Sequence, residues 1–416
     1  MEFKRQFYLD ELIRKQHNGF VKVVTGLRRC GKSYLLRTIF KKYLLEHGLS
    51  PEQIVEMAFD ERDNKRFRDP DVFYEFAKGK LEQHPDSIFL LDEIQLLGDF
   101  ESVFNGLLGR NAEIYATGSN AKFLSKDIIT EFRGRGDEIH MTPLTFAELF
   151  AEFHDDREKR FHDYMLYGGL PLVALADLPE DKISILNSLY TETYLRDITD
   201  RNKIRKTADL ENLLDILSSN IGCLVNPDKL EKMFRSVKKS KITSDTITKY
   251  ISYLEDAYLL EEARRYDVKG NAYLKSPMKY YYSDLGLRNA RLKFRQVEET
   301  HSMENIIYNE LRHRKYNVDI GQVSVNEKNA SGTYSRKQLE VDFVANKGSK
   351  RYYIQSAYMI PDEEKREQEI RSLLKIGDSF KKIVITSHAP APLYDDHGIL
   401  TMSIYDFLLN PDSLEY

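Results

Sequence analysis

VKVVTGLRRCGKS, residues 21–33, is the stretch of sequence that decides the fold. Its first five residues form a largely apolar run typical of a buried strand, and the last eight match the pattern G-x4-G-K-[ST]. Gly26 and Gly31 lack a Cβ atom, so the backbone N–H groups between them can converge on phosphate oxygens. A helix predicted from Tyr34 to Leu45 would place the positive end of its dipole beneath the same phosphate. The sequence therefore predicts a phosphate-binding loop, or P-loop, between a strand and a helix.

The P-loop predicts binding of a nucleoside triphosphate, which we expect to be ATP. Lys32 would neutralise the β and γ phosphates, and the hydroxyl of Ser33 would ligate Mg²⁺. Arg28 and Arg29 could also contact a phosphate, although charged residues at such variable positions more often face solvent. The expected ATP contacts are the whole loop and the first helical residue: Gly26, Leu27, Arg28, Arg29, Cys30, Gly31, Lys32, Ser33 and Tyr34.

A second apolar strand, residues 88–91, delivers two carboxylates, Asp92 and Glu93. In a parallel sheet this strand end would meet the edge that carries the P-loop. Asp92 would then hold Mg²⁺ through its water shell, and Glu93 would polarise the attacking water. A strand that ends in Asp-Glu is a weak signal alone, but the preceding P-loop makes it typical of nucleotide hydrolysis.

A third strand, from Ile114 to Thr117, is followed by Gly118, Ser119 and Asn120. If this strand lies between the other two, these small polar residues would lie beside the γ phosphate. We expect Asn120 to position the attacking water, with Ser119 as the substitute. The alternative is a polar turn after a buried strand.

Two arginines further along the chain, Arg133 and Arg135, could offer positive charge to the transition state of phosphoryl transfer. The sequence leaves open which of them acts. It also leaves open whether the arginine acts in its own site or across a subunit boundary in an oligomer.

The periodicity of the apolar residues divides the chain into four segments. Residues 1–150 alternate strands and helices, which predicts a doubly wound α/β fold around a parallel sheet. Residues 151–205 are helical and aromatic and predict a small helical lid. Residues 206–294 predict helix, helix, turn, helix and β-hairpin, the order of a winged helix-turn-helix. Residues 295–416 predict a separate small domain with the order α-β-β-β-α-β.

The composition is ordinary for a water-soluble chain of several domains. The chain comprises 416 residues, of which 41% are hydrophobic and 31% are charged. Only two cysteines occur, and one of them, Cys30, lies inside the P-loop, where a structural disulfide would obstruct function. No run of about 18 apolar residues is present. We therefore expect a cytoplasmic protein without membrane association.

The motifs resemble those of AAA-type P-loop ATPases. More narrowly, they resemble a bacterial and archaeal group in which the ATPase is fused to a C-terminal domain of unknown function. The resemblance covers essentially the whole chain, and it is carried by three generic P-loop motifs and three motifs of this group: TGLRRCGKS at 25–33, LLDE at 90–93, TGSN at 117–120, PLTFAE at 143–148, YGGLP at 167–171 and YLRDI at 194–198. It implies an ATPase core with an additional strand, a helical lid, a winged helix and a nuclease-like end. It implies no known biological role.

The segment predicted as a winged helix is locally basic. Residues 206–295 carry 17 basic and 12 acidic side chains in a chain whose net charge is −4. Residues 243–250 begin the helix that would enter a major groove of DNA, and basic residues flank it on both sides: Lys238, Lys239, Lys241, Arg264, Arg265 and Lys269. This excess suits contacts with a DNA backbone. The alternative is a winged helix that packs against protein.

The last segment resembles the PD-(D/E)XK nuclease fold, in which two strand residues bind metal and a lysine two positions later helps to activate water. Asp342 and Gln355 fit the first two positions, but Ala357 stands where the lysine is expected. Without that ammonium group, cleavage of DNA should be severely impaired. We expect a degenerate scaffold that binds DNA or a protein partner.

Other charged residues of this segment leave a residual cation site open. Glu304 or Glu310, on the helix that opens the segment, could hold a cation together with Glu340. Lys347 and Lys350 could replace the missing lysine from a neighbouring turn.

The sequence as a whole predicts a Mg²⁺-dependent ATPase whose nucleotide state moves the lid and repositions the C-terminal modules. An alternative is a DNA-binding switch that binds ATP but rarely hydrolyses it. A third hypothesis, an ATP-dependent nuclease, is disfavoured by Ala357.

Overall fold

A computed structural model of the chain describes residues 2–118, 135–153, 156–328 and 334–416. The chain divides into two compact units. The N-terminal unit comprises Met1–Leu144, Leu170–Leu175 and Glu255–Tyr258, and the C-terminal unit comprises Thr145–Gly169, Ala176–Leu254 and Leu259–Tyr416. Within the described ranges, no helix has the length and apolar character needed to cross a membrane.

The N-terminal unit is built around five parallel strands: β1 (Val21–Gly26), β2 (Ile54–Ala58), β3 (Ile88–Asp92), β4 (Glu113–Thr117) and β5 (Gly136–Met141). Their order in the sheet is β2-β3-β4-β1-β5. Strands β1, β3 and β4 are buried along their whole length, as expected for parallel strands covered on both faces. The predicted α/β fold around a parallel sheet is confirmed, and β4 lies between β3 and β1.

Helices cover both faces of this sheet: α1 (Gln6–Arg14), α2 (Lys32–Tyr34, π-helical Leu35–Phe40 and Lys41–Glu46), α3 (Pro70–Gln83) and α4 (Phe100–Leu108), with short 3-10 segments at Pro51–Gln53, Arg62–Arg68 and Ile94–Leu96. On one face, Ile114 shares a buried cluster with Phe73 of α3 and Phe104 of α4. On the other face, the ring of Tyr115 lies 4.6 Å from that of Phe40 in α2. Successive residues of β4 thus contact helices on opposite faces, which is the doubly wound arrangement.

The described residues of the C-terminal unit form nine strands: β6 (Leu224–Val225), β7 (Leu260–Asp267), β8 (Ala272–Tyr282), β9 (Asn317–Lys328), β10 (Tyr334–Lys347), β11 (Lys350–Ala357), β12 (Lys381–Thr386), β13 (Leu393–Tyr394) and β14 (Ile399–Ser403). They form one sheet in the order β13-β14-β12-β11-β10-β9-β7-β8-β6. The pairs β7–β9, β11–β12 and β12–β14 are parallel, and the other pairs are antiparallel.

The helices of this unit precede, interrupt and follow the strands. They are α5 (Phe146–Phe153), α6 (Arg157–Tyr167), α8 (Pro179–Ser188, continued by Leu189–Leu195 and Arg196–Arg201), α9 (Thr207–Ser219), α10 (Pro227–Val237), α11 (Ser244–Asp256), α12 (Leu285–Arg291), α13 (Glu299–His313), α14 (Glu363–Leu374) and α15 (Ile404–Leu409), with a 3-10 turn at Ser413–Glu415. The short helix between α6 and α8, α7 (Pro171–Ala174), belongs to the N-terminal unit.

Residues 206–294 fold in the order α9, β6, α10, α11, β7, β8 and α12. The helices and the hairpin therefore form as expected, while their identification as a winged helix stays a prediction, as do the domain boundaries after residues 150, 205 and 294. Strand β7 also pairs with β9, with Arg265 opposite Ile320. The hairpin is thus continuous with the sheet of residues 295–416.

Helix α12 is held against α6 by three close contacts. Asp284 begins α12, and its Oδ2 accepts a hydrogen bond of 2.7 Å from the Gly169 N–H. Asn289 Nδ2 donates bonds of 2.9 Å to two carbonyl oxygens near the end of α6. A Cβ atom at Gly286 would lie only 2.1 Å from the carbonyl oxygen of Tyr167. This junction therefore requires glycine at position 286.

We expect Gly286→Ala to destabilise the C-terminal unit, because the added methyl group must push the backbone of Tyr167 aside. The predicted loss is at least about 2 kcal/mol of unfolding free energy, measured by urea denaturation followed by circular dichroism. Gly79→Ala in α3 is the control, because a Cβ atom there meets nothing within 4 Å. The control should be stabilising by about 0.5–1 kcal/mol, the helix propensity difference between alanine and glycine. Equal effects of the two variants would contradict the prediction.

Candidate functional site

The P-loop joins β1 to α2 and has the backbone that its sequence predicts. Gly26 has a φ of 133°, and a Cβ atom there would lie 2.1 Å from the carbonyl oxygen of Met141. Gly31 has a φ of 104°. Both glycines are therefore required by the conformation, the first also by the close approach of β5.

The side chains of the loop point in different directions. Leu27 and Cys30 are buried, whereas Arg28 is half-buried and Arg29 is exposed. Tyr34, the last of the expected nucleotide contacts, is exposed, and its hydroxyl donates a 3.0 Å hydrogen bond to Glu2. Leu27 and Cys30 can offer a phosphate only their backbone N–H groups, because their side chains face the protein interior.

Lys32 lies at the start of α2 and is buried. Its Nζ donates hydrogen bonds to the carbonyl oxygens of Gly26, at 3.0 Å, and Leu27, at 2.9 Å. The ammonium group is therefore held over the P-loop by the loop's own carbonyls. In its predicted role, this ammonium group would neutralise phosphate charge from its place beside the loop.

Asp92, at the end of β3, is brought together with residues from both neighbouring segments. Its Oδ1 accepts a 2.9 Å hydrogen bond from Ser33 Oγ and a second bond from Thr117 Oγ1. Burial raises the pKa of Asp92, and the charge of Glu93 acts in the same direction, although both hydroxyl donors lower it. Three neighbouring chain segments thus converge on one carboxylate oxygen.

The donor atoms at this point suit Mg²⁺. Ser33 and Asp92 offer a hydroxyl and a carboxylate oxygen that lie within hydrogen-bond distance of each other. Mg²⁺ prefers oxygen ligands and is commonly held by one or two protein groups, with the remaining ligands supplied by water and substrate phosphates. The predicted pair of metal-binding residues therefore fits this ion.

Glu93 follows β3 in a left-handed backbone conformation with a φ of 55°. Its N–H donates a 3.1 Å hydrogen bond to Thr117 Oγ1, and Gln95 Nε2 donates to its carboxylate. Left-handed conformations of residues other than glycine are costly and cluster at functional sites. Thr117 and Gln95 therefore set the position of the predicted catalytic carboxylate.

Thr117 is the residue that the sequence reading missed in this site. The sequence predicts Thr117 as the end of a strand, and it predicts that Asn120 positions the attacking water, with Ser119 as the substitute. Ser119, Asn120 and Arg133 lie outside the described residues, so their roles stay predictions. The signal for Thr117 was its place as the last residue of a strand between β3 and β1.

Arg135 lies away from the P-loop of its own chain. Its carbonyl oxygen accepts a 2.9 Å hydrogen bond from the N–H of Val21, the first residue of β1. The P-loop follows the other end of β1, five residues further along at Gly26. This separation is about 17 Å at 3.3 Å per residue, which is longer than an arginine side chain. Only the hypothesis of action across a subunit boundary therefore remains for Arg135.

The segment that contains the short helix α7 also lies beside the P-loop. The segment Leu170–Leu175 belongs to the N-terminal unit. A Cβ atom at Gly31 would lie 3.5 Å from Met141 Cε and 3.9 Å from Pro171 Cγ. Pro171, which was assigned to the lid by sequence, therefore lies next to the phosphate loop.

In the C-terminal unit, the structure brings Asp342 and Gln355 together on the paired strands β10 and β11. Asp342 Oδ2 accepts a 2.8 Å hydrogen bond from the Ser356 N–H, and Gln355 contacts the Asp342 N–H and Glu369, both at 3.4 Å. Ala357 belongs to a buried apolar cluster that includes Ile370 and Leu373 of α14. An ammonium group at position 357 would therefore lie among hydrocarbon.

The other residues considered for this site have different partners. Glu310 pairs with Arg314 at 2.7 Å. Lys347 Nζ donates to the carbonyl oxygen of Arg314 at 2.9 Å, and Lys350 pairs with Glu415 at 2.5 Å. Neither lysine therefore replaces the missing one.

The lysine that does approach the acidic residues is Lys279 of β8, which the sequence reading missed. Its Nζ lies 2.9 Å from Glu304 Oε1 and 2.7 Å from Glu340 Oε1. In the described part of the chain, no three His, Cys, Asp or Glu side chains are arranged to hold a metal ion.

The basic residues around α11 fall into two groups. Lys238, Lys239 and Lys241, between α10 and α11, are exposed. The basic residues of the hairpin have partners within the fold. Arg264 pairs with Glu262 at 3.3 Å, and Arg265 donates a hydrogen bond to Gln322. Lys269 Nζ donates a 3.0 Å hydrogen bond to the carbonyl oxygen of Ser324. The local excess of positive charge is therefore presented mainly by the turn before α11.

Comparison with known proteins agrees with this architecture. Residues 18–150 match the family model described as AAA domain, and residues 158–298 match a domain of unknown function (DUF8612). An uncharacterized protein of Haemophilus influenzae is 34% identical over 412 residues, which cover 97% of this chain and 98% of the relative. An uncharacterized protein of Methanocaldococcus jannaschii is 27% identical, with 93% and 85% covered.

Among solved structures, the Aeropyrum pernix ORC1 protein in complex with DNA has a TM-score of 0.29 and 13% identity, with 70% of this chain and 93% of that chain covered. The AAA model covers the P-loop, the second model covers the segment that follows, and the alignment with the Haemophilus protein spans both. The chain therefore belongs to the AAA-type P-loop ATPase family in which the AAA domain is followed by a domain of unknown function.

Proposed function

We propose that this protein hydrolyses ATP in a Mg²⁺-dependent reaction at the ends of β1, β3 and β4. The observation that carries the proposal is that the hydroxyl groups of Ser33 and Thr117 both donate to Oδ1 of Asp92, while Thr117 Oγ1 also accepts a hydrogen bond from the Glu93 N–H. A P-loop alone accounts for nucleotide binding, whereas hydrolysis also needs a group that prepares water.

The steps follow from the residues in place. The backbone N–H groups of the P-loop receive the phosphates, and Lys32 Nζ neutralises their charge. Bound Mg²⁺ would supply charge neutralisation at the β and γ phosphates, with Ser33 and Asp92 as its protein ligands. Glu93 accepts a proton from the attacking water. Thr117 and Gln95 hold Glu93 in the orientation that this transfer needs.

Pro171 would offer a bound nucleotide a second contact beside the P-loop. Pro171 lies beside Gly31 in the N-terminal unit. Gly169, its near neighbour in sequence, is bonded to Asp284 in the C-terminal unit. A nucleotide that displaces Pro171 would therefore pull on the chain that leads to Asp284. This connection suits the hypothesis that nucleotide state repositions the C-terminal modules.

Glu93→Gln should lower the steady-state rate of phosphate release by about 10²–10⁴-fold, because the amide cannot accept the proton. Binding of a fluorescent ATP analogue should persist in this variant and be lost in Lys32→Ala. Glu46→Gln, an exposed substitution on the same unit, is the control and should leave the rate unchanged. Equal phosphate release by the wild type, Lys32→Ala and Glu93→Gln would refute hydrolysis at this site.

Thr117→Val removes only the hydroxyl that connects Asp92 with Glu93. We expect kcat to fall by about ten- to a hundredfold, the loss of a hydrogen bond to a charged group, with little change in nucleotide affinity. Thr117→Ser should restore most of the rate, because it returns the hydroxyl. A purely structural role would instead lower the melting temperature of Thr117→Val and leave the rate per folded molecule intact.

A second proposed function is binding of DNA through the turn before α11. Lys238, Lys239 and Lys241 are exposed there, and Glu231 Oε2 accepts a 2.9 Å hydrogen bond from the Ser244 N–H at the start of α11. The three ammonium groups therefore extend from a turn of fixed geometry. Such a cluster suits phosphate contacts that carry no sequence information.

Replacing Lys238, Lys239 and Lys241 with glutamine should weaken binding of duplex DNA. The slope of log K against log salt should fall by about 2–3, since each lost phosphate contact contributes about 0.9. Fluorescence anisotropy of labelled DNA at several salt concentrations measures both effects. Lys65→Gln, exposed on the N-terminal unit, is the control. If the slope is unchanged, this turn is not the DNA contact.

A further inference from the structure

The acidic residues of the nuclease-like segment surround a buried ammonium group. Lys279 is only 3% exposed, and its Nζ is within 3 Å of carboxylate oxygens of Glu304 and Glu340. Tyr281, two residues along the same strand, donates a 2.6 Å hydrogen bond to the same oxygen of Glu304. A strand that precedes the segment in sequence thus supplies the positive charge at its centre.

Asp342 belongs to the same electrostatic group. It lies at a register shift of β10, between Val341 and Val344, and such irregularities redirect side chains. Burial raises the pKa of Asp342, and the negative charge of Glu304 raises it further, whereas Lys279 lowers it. Asp342 also lies two residues after Glu340 on β10, so the strand that supplies Glu340 to Lys279 carries Asp342 beside it.

The charges of this group favour a protonated lysine. Burial lowers the pKa of Lys279, but Glu304, Asp342 and Glu340 outweigh it, so the pKa is raised overall. Burial raises the pKa of Glu304, but Lys279 and the neighbouring hydrogen-bond donors outweigh it, so the pKa is lowered. Both partners thus stay charged, as is required of an ion pair removed from water.

We propose that the ammonium group of Lys279 is the resident cation of the Glu304, Glu340 and Asp342 cluster and excludes a divalent metal ion from it. The resemblance to metal-dependent nucleases implies a metal at this place, and the donor set does not fit that expectation. The inference concerns the C-terminal unit alone and does not rest on ATP hydrolysis.

Three observations support the proposal. A divalent ion between Glu304 and Glu340 would lie a few ångströms from a buried ammonium, and two cations repel strongly where water is scarce. Gln355, the second predicted metal residue, is engaged with Asp342 N–H and Glu369. Ala357, at the position where the nuclease pattern expects a lysine, lies in an apolar cluster, so Lys279 supplies the positive charge instead.

The ion pair also has a mechanical consequence. Lys279 lies on the hairpin strand β8, whereas Glu304 lies on α13 and Glu340 on β10. The ammonium therefore ties the hairpin that follows α11 to the helix and strand of the nuclease-like segment. A metal-free module of this kind holds the preceding helices in a fixed position instead of cleaving a phosphodiester.

The experiment is a titration of the full chain with Mn²⁺, followed by electron paramagnetic resonance in the absence of nucleotide. All variants carry Asp92→Asn, which removes a carboxylate ligand of the proposed ATP site. Wild-type Lys279 should show no Mn²⁺ binding that depends on Asp342. Lys279→Met should gain one Mn²⁺ site, with binding more than about tenfold tighter than that of the parent chain. Adding Asp342→Asn should abolish this site. Lys279→Arg keeps the positive charge and should behave as Lys279 does.

Thermal unfolding gives an independent readout. Lys279→Met leaves buried carboxylates without their cation and should melt at a lower temperature than the parent chain. Mn²⁺ should raise its melting temperature and leave that of the parent unchanged, because a ligand that binds only the folded state stabilises it.

The proposal is overturned if the chain with Lys279 binds Mn²⁺ in an Asp342-dependent manner, or if Lys279→Met gains no site. If Lys279→Met does not fold even with Mn²⁺, the comparison of the parent with Asp342→Asn decides. Equal Mn²⁺ binding by these two chains supports the proposal, and a loss in Asp342→Asn overturns it.

Discussion

Oδ1 of Asp92 accepts hydrogen bonds from two hydroxyl groups that belong to different chain segments, Ser33 at the start of α2 and Thr117 at the end of β4. The geometry of the proposed ATPase site depends on this shared oxygen. It requires that β4 lie between β3 and β1, because only then do the two strand ends and the P-loop meet at one edge. The close approach of β5 to Gly26 is a second constraint, because it excludes any larger residue at that position. The first constraint concerns the sheet order, and the second concerns the P-loop backbone.

The parts of this site that the sequence predicted are those encoded locally. Gly26, Gly31 and Lys32 are recognisable from spacing alone, because a phosphate cradle is formed by consecutive backbone N–H groups. Asp92 and Glu93 were predicted because a buried parallel strand must end at the edge where the P-loop lies. The doubly wound fold was predicted from the apolar pattern, because apolar runs without alternation indicate strands covered on both faces.

What the sequence did not predict depends on pairs of residues distant in the chain. Thr117 acts through a hydrogen bond to a carboxylate on the next strand, and nothing in its own neighbourhood marks that bond. Lys279 was counted among the basic residues of the DNA-binding hypothesis, yet its charge is directed at Glu304. Arg265 and Lys269 were counted in the same way, and both are bonded to β9. A net charge over a segment does not reveal which charges are already paired within the fold.

Asp92 and Glu304 are both buried carboxylates, but the charges of their neighbours differ. Asp92 accepts hydrogen bonds from neutral hydroxyl groups, so burial prevails and its pKa is raised. Glu304 contacts the ammonium of Lys279, so its pKa is lowered in spite of burial. A buried carboxylate whose hydrogen-bond donors are neutral gains much from an incoming cation, because those donors offset its charge only in part. A carboxylate that already holds an ammonium gains little and must also overcome repulsion between the two cations. The same physical rule therefore favours an exchangeable metal ion at the proposed site of the N-terminal unit and a fixed ammonium group at the proposed cluster of the C-terminal unit.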